Sequence, residues 1–96
     1  MKRERVLQIL REHEPELKRA GIVRLALFGS VARGETGNDV DLMAEFDSAK
    51  RLSLLDMAGL ESRLSELLDA PVDLAPEKML KEPVRRRAVH EAVLVF

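Results

Sequence analysis

The sequence contains no cysteine among its 96 residues, which excludes disulfides, thiolate metal sites and cysteine nucleophiles. It also lacks tryptophan and tyrosine and has only three phenylalanines, so a core must be built mainly from Leu, Val, Ala and Met. No apolar run approaches the roughly 20 residues that a membrane-spanning helix requires. Acidic and basic residues nearly cancel, to a net charge of −1, which gives no indication of a nucleic-acid-binding or membrane-surface protein.

The length predicts a single domain over residues 1–96, because a chain of this size leaves no room for a second core. The N-terminal residues Met-Lys-Arg-Glu-Arg are charged and no apolar segment follows them. We therefore expect no signal peptide. Together these features predict a small, soluble, cytoplasmic protein.

Apolar residues recur at helical spacing in two long segments. The first is 3–19, where Pro15 is expected either to kink the helix or to restart it. The second is 53–68, where Ser53 and Asp56 have the spacing of a capping box. Shorter helical segments are predicted over 29–33, closed by Gly34, and from Pro83 to about His90.

Strand patterns occupy the remaining segments. Residues 22–28 are almost continuously apolar, as in a strand buried on both faces. Apolar residues occupy every second position from Val40 to Phe46. This alternation over residues 39–46 predicts a strand with one face in the core and with Asp39 and Asp41 together on the other face. A short strand is predicted at 72–75. Residues 93–96 form either a packed strand or an exposed docking segment.

Three aspartates on two of these strands indicate a cation site. Asp39 and Asp41 lie roughly 6–7 Å apart along one strand face, and Asp73 could join them if its strand pairs beside theirs. Such a cluster repels itself at neutral pH unless a cation neutralises it. Carboxylate oxygens without His or Cys favour Mg²⁺, and a pair of these ions could assist an in-line phosphoryl transfer.

Gly29-Ser30 directly follows the first predicted strand and suggests a phosphate-binding turn. Glycine allows a phosphate to approach the backbone closely, and Ser30 adds a hydroxyl and an N–H at a helix start. Arg33 is expected to add positive charge on the same side. The basic run Arg85-Arg86-Arg87 is interpreted as solvated surface, with a partner's acidic patch or RNA as the alternative.

The segments Gly29-Ser30-Val31-Ala32-Arg33-Gly34 and Asn38-Asp39-Val40-Asp41-Leu42 resemble the signature of the DNA polymerase β nucleotidyltransferase superfamily. The small size and Pro71-Val72-Asp73-Leu74 are similar to its minimal nucleotidyltransferase (MNT) branch. Asn38 stands where members commonly have Ser, and either residue suits a turn.

This resemblance implies an α+β fold, with a small mixed sheet flanked by helices. It further implies Mg²⁺ bound by Asp39, Asp41 and Asp73, and the triphosphate of ATP held by Gly29 and Ser30. Asp73 would also help to deprotonate the attacking hydroxyl.

Proteins of the MNT branch are typically paired with a HEPN-domain ribonuclease toxin. The resemblance therefore implies an antitoxin that transfers AMP from ATP to a toxin side chain, with a tyrosine hydroxyl as the expected acceptor. Two alternatives remain open: an antitoxin that masks the toxin by binding alone, and an enzyme that modifies a small molecule such as an aminoglycoside. We expect a hetero-oligomer with the toxin and no direct binding to membranes or nucleic acids.

Overall fold

A four-stranded mixed sheet forms the centre of the computed structural model, which describes residues 2–35 and 39–96. Its strands are β1 (Ile22–Phe28), β2 (Val40–Phe46), β3 (Val72–Pro76) and β4 (Val93–Leu94), in the spatial order β3-β2-β1-β4. β1 is antiparallel to β2 and β4, whereas β2 and β3 are parallel. The predicted α+β fold with a mixed sheet is confirmed.

Helices flank this sheet on both faces: α1 (Arg3–Glu12), α2 (Glu14–Arg19), α3 (Gly29–Ala32), α4 (Leu54–Leu68) and α5 (Val84–Glu91). Pro15 lies in the first turn of α2, so the helix restarts there, as one of the two sequence interpretations held. Ser53 and Asp56 form the predicted capping box of α4. No helix in the described part of the chain is long and apolar enough to cross a membrane.

The main core lies between one face of the sheet and helices α1, α2 and α4. Leu64 of α4 and Leu10 of α1 are fully buried there, in the same core cluster as Val40 and Leu42 of β2. Complete burial of such a side chain contributes roughly 1.5–3 kcal/mol. This face therefore fixes where β2 lies and, through the alternation of side chains, which of its residues point to the opposite face.

The opposite face of β2 is also covered, which the alternating pattern did not predict. Met43 is only 6% exposed and packs with Ala26 of β1 and Ala88 of α5. The expectation that β2 has just one face in the core is therefore wrong at Met43. The reason is that α5 packs on this second face, where the small Ala88 side chain permits close approach.

Residues 93–96 form a packed segment rather than an exposed docking segment. Val95 is buried, and its backbone N–H donates to the carbonyl of Leu25 at 2.8 Å. Arg11 of α1 donates from Nε to the carbonyl of Val95 at 2.9 Å and from its terminal nitrogen to that of Leu94 at 3.0 Å. Of the two sequence interpretations, the packed strand is correct.

Candidate active site

The sheet topology brings the predicted acidic residues to one edge. β1 ends where its antiparallel neighbour β2 begins, and β3 begins beside β2 because these two strands are parallel. We call this the carboxylate edge: the C-terminal end of β1 and the N-terminal ends of β2 and β3. Asp41 is paired in register with Phe28 on one side and with Asp73 on the other. Register partners point to the same face, so the two carboxylates lie side by side.

The side chains of Asp41 and Asp73 lie on the face of the sheet that α5 covers farther along β2. Asp41 is two residues from Met43, so both side chains point to that face. Asp39 immediately precedes β2 and is exposed, as is Asp73, whereas Asp41 is half-buried. The structure thus brings Asp41 and Asp73 together directly and places Asp39 two residues from Asp41 on the same strand path.

The pKa of Asp41 reflects its burial and the neighbouring carboxylates. Burial raises the pKa of Asp41 above its ordinary value, and the negative charges of Asp73 and Asp39 raise it further, while the charge of Arg33 partly opposes them. Adjacent strands are only about 4.8 Å apart, and like charges directly opposite one another destabilise a sheet. The cluster therefore favours binding of a positive charge.

Gly29 is required where Asp41 approaches the end of β1. Gly29 has a φ of +77°, and a Cβ built there would overlap the Oδ2 atom of Asp41 and lie 3.1 Å from its Cγ atom. The sequence indicated Gly29 as a residue for close phosphate approach. The structure adds a second reason: a side chain at this position would displace the Asp41 carboxylate.

The Gly29-Ser30 turn is the start of α3, which is anchored from two directions. Val31 and Ala32 are buried in the main core, and Arg3 of α1 donates a hydrogen bond to the carbonyl of Ala32 at 3.1 Å. Gly34 closes the turn with a φ of +80°, as predicted. Ser30 is therefore held beside the carboxylate edge on a fixed backbone.

Arg33 lies at the end of α3, where it is held by two carboxylates that the sequence analysis did not identify. Its Nε donates to Glu35 at 3.0 Å, and a terminal nitrogen donates to Glu91 of α5 at 2.9 Å. Its charge nevertheless lowers the pKa of Asp41, and Arg33 directly follows α3, which packs against β1 and β2. Glu91 is 58 residues away in sequence, and no local pattern connects it with Arg33.

The donor set suits a hard divalent cation, although it does not form a complete cage. Within residues 2–35 and 39–96 no three His, Cys, Asp or Glu residues are close enough together to hold a metal ion. Mg²⁺ commonly takes one or two carboxylates and completes its shell with water and substrate phosphates. The adjacent Asp41 and Asp73 fit that requirement, and Asp39, Asp41 and Asp73 as its ligands remain a prediction. Asn38 lies outside the described residues.

Paired carboxylates beside a Gly-Ser turn, at the edge of a small mixed sheet, define a protein of the nucleotide-transferring class. The family model of the nucleotidyltransferase domain matches residues 3–95. The chain therefore belongs to the nucleotidyltransferase family, and the predicted enzyme class is confirmed.

Relatives and solved structures agree with this assignment. The chain is 36% identical over 95 residues to the protein adenylyltransferase MntA of Thermococcus cleftensis, covering 96% of this chain and 94% of the relative. It is 38% identical to the solved structure of a candidate minimal nucleotidyltransferase, with a TM-score of 0.78 and coverage of 97% and 95%. A third match is a chain from the complex of tri-AMPylated Shewanella oneidensis HEPN toxin with MNT antitoxin. It has 19% identity, a TM-score of 0.68 and coverage of 94% and 71%, so it shows the fold alone.

Proposed function

We propose that this protein is a Mg²⁺-dependent protein adenylyltransferase that acts as an antitoxin. It transfers AMP from ATP to a side-chain hydroxyl, that of a tyrosine, on a cognate HEPN ribonuclease toxin. The observation that carries the proposal is the alignment of Asp41 with Asp73 at the carboxylate edge, where Gly29 leaves room for the Asp41 side chain. The protein acceptor is supported by the name of the Thermococcus relative, and the toxin by the complex that shares this fold.

The nucleotide binds along the turn that follows β1. Gly29 and Ser30 offer backbone N–H groups and a hydroxyl to the triphosphate, which can approach closely because Gly29 has no side chain. Arg33, one turn farther along, supplies the positive charge for the phosphates. The buried Val31 and Ala32 hold this turn in the core, so the phosphate ligands are fixed before the nucleotide arrives.

The three aspartates take different roles. Asp39, Asp41 and Asp73 would hold a pair of Mg²⁺ ions, which when bound neutralise the carboxylates and polarise the phosphate oxygens. Asp73 is exposed on the edge strand β3, and it accepts the proton of the attacking hydroxyl. The new bond joins the hydroxyl oxygen to the α-phosphorus, the bond to the β-phosphate breaks, and pyrophosphate leaves.

The acceptor reaches this site from outside the sheet. Asp39 and Asp73 are exposed, and β3 is an edge strand with one neighbour. The carboxylate edge is therefore accessible to a side chain presented by a second protein. This accessibility favours a protein acceptor brought by the partner, and a small-molecule acceptor would need a cleft built by additional protein surface.

The experiment is intact mass spectrometry of a purified HEPN partner after incubation with this protein, Mg²⁺ and ATP. We expect the partner to gain one or more AMP units, and Asp41→Asn and Asp73→Asn to abolish the gain. Asp69→Asn is the matched control, because Asp69 caps α4 in the left-handed conformation that Asn also tolerates.

A partner whose mass does not change with wild-type protein would contradict the proposed chemistry. If that partner were still inhibited, and equally by Asp41→Asn, the protein would be a masking antitoxin. AMP transfer to a small molecule, with the partner unmodified, would indicate the aminoglycoside-type alternative.

A further inference from the structure

Glu91, the last residue of α5, contacts Arg33 from a part of the chain that the nucleotide site does not otherwise use. We propose that Glu91 is a positioning residue that holds the Arg33 guanidinium in place for the nucleotide phosphates. This inference rests on the proposed function, because it takes Arg33 as a phosphate ligand. It adds α5 to the elements that build the site.

The first argument is that α5 provides a fixed support. Ala88 is only 4% exposed and packs against Ala26 and Met43 on the sheet. Glu91 lies three residues after Ala88, on the same side of the helix, so its side chain starts from a backbone that is locked against the sheet. Glu91 is also the only acidic residue of α5, so no other side chain of this helix could supply a carboxylate to Arg33.

The second argument is that Arg33, at the end of α3, keeps N–H donors for a phosphate while it is paired. While Arg33 is bound to Glu91 and Glu35, its charge still acts on Asp41. Its Nε and one terminal nitrogen are both 3.0 Å from Glu35, and the other terminal nitrogen is 2.9 Å from Glu91. A guanidinium carries five N–H donors. The two hydrogen bonds use two of these donors and the second nitrogen near Glu35 uses at most a third, so at least two are left for a phosphate and the pairing is compatible with phosphate binding.

The third argument comes from the other ion pairs of α5. Arg85 and Arg86 both pair with Glu82, which precedes the helix, at 3.8 and 3.4 Å, and Arg85 also lies 4.0 Å from Glu77. These pairs stay within one local segment and do not reach α3. The pair between Glu91 and Arg33 is different because it joins α5 to the turn that carries Gly29 and Ser30. Glu82 therefore supplies a matched control for the loss of an ion pair near α5.

The test measures the affinity of the full-length protein for a Mg²⁺-bound non-hydrolysable ATP analogue by titration calorimetry. We expect Glu91→Ala to raise the dissociation constant about three-fold, the size typical of losing one partly exposed charge pair. Glu91→Gln retains an oxygen that accepts from Arg33, and it should stay within about two-fold of wild type. Glu82→Ala, which removes the ion pairs with Arg85 and Arg86, should leave the affinity unchanged.

A double-mutant cycle separates positioning from a general effect on stability. In an Arg33→Ala background, Glu91→Ala should cause no further loss of affinity, because the residue through which it acts is gone. An equal loss in both backgrounds, or tighter binding by Glu91→Ala, would overturn the inference. If thermal melts show that Glu91→Ala does not stay folded, Glu91→Met keeps the side-chain stem and carries the same expectation.

The cycle also separates this inference from the proposed function. Wild-type protein that binds no Mg²⁺–ATP analogue would refute the proposed nucleotide site. Wild-type binding that Arg33→Ala weakens and Glu91→Ala leaves unchanged would refute only the role of Glu91.

Discussion

Replacing Gly29 by alanine should damage both the fold and the site, whereas the same change at Gly34 should affect mainly the fold. Both glycines have similar positive φ angles, +77° and +80°. A Cβ at Gly34 would meet no described atom within 4 Å, whereas a Cβ at Gly29 would overlap the Asp41 carboxylate. The pair of variants therefore separates the backbone cost from the displacement of Asp41.

The expected losses of stability follow from the backbone cost at both glycines and from the displacement of Asp41 at Gly29. An L side chain in the left-handed region costs roughly 1–2 kcal/mol, and we expect Gly34→Ala to lose about that much stability. Gly29→Ala bears the same cost, and it also forces Asp41 away from its rotamer at about 0.5–1.5 kcal/mol. We therefore expect Gly29→Ala to be less stable than wild type by about 1.5–3.5 kcal/mol.

Activity should separate the two variants more clearly than stability does. Asp41 is a proposed catalytic carboxylate, and displacing such a group by about 1 Å can cost on the order of a hundred-fold in rate. Under the proposed function, Gly29→Ala should therefore lose AMP transfer under conditions in which it remains folded. Urea unfolding gives the stabilities, and a partner-modification assay gives the rates. Equal stabilities and equal rates for Gly29→Ala and Gly34→Ala would refute the reasoning that Gly29 makes room for Asp41.

Two further predictions concern charge. Asp41→Asn should stabilise the metal-free protein at neutral pH by about 0.5–1 kcal/mol after solvent screening. The raised pKa of Asp41 means that its ionised form costs stability above that pKa, so the advantage of Asn should disappear as pH falls toward about 4. Urea unfolding across this pH range, with and without Mg²⁺, checks this, and Mg²⁺ should stabilise wild type more than the variant; a destabilised Asn variant at neutral pH would contradict it. Arg3→Met removes the hydrogen bond to the carbonyl of Ala32 and should cost about 1 kcal/mol, because a charged donor is lost at a partly exposed position. Arg5→Met is its control, since the side-chain hydrogen bond of Arg5 within the described residues is to the exposed Gln8, and equal stabilities of the two variants would argue against the anchoring of α3 by Arg3.

Local sequence patterns predicted most of the secondary structure. The alternation in β2, the continuous apolar run of β1 and the capping box of Ser53 and Asp56 each depend on residues within one segment. The turn at Gly29 and its closure at Gly34 could also be predicted locally. The glycines supply the positive φ that these positions require. The expectation for β2 was incomplete at Met43, since a pattern within one strand cannot show that α5 covers its second face.

The sequence by itself determined which chemistry was available. Three aspartates, a Gly-Ser turn and no cysteine restrict the site to oxygen ligands beside a phosphate-sized turn. Only the tertiary structure decided that β3 lies parallel to β2 with Asp73 opposite Asp41, and that Glu91 reaches Arg33. The physical reason is that strand register and helix docking are set by backbone hydrogen bonds and side-chain packing between distant segments, which the period of any single segment does not encode.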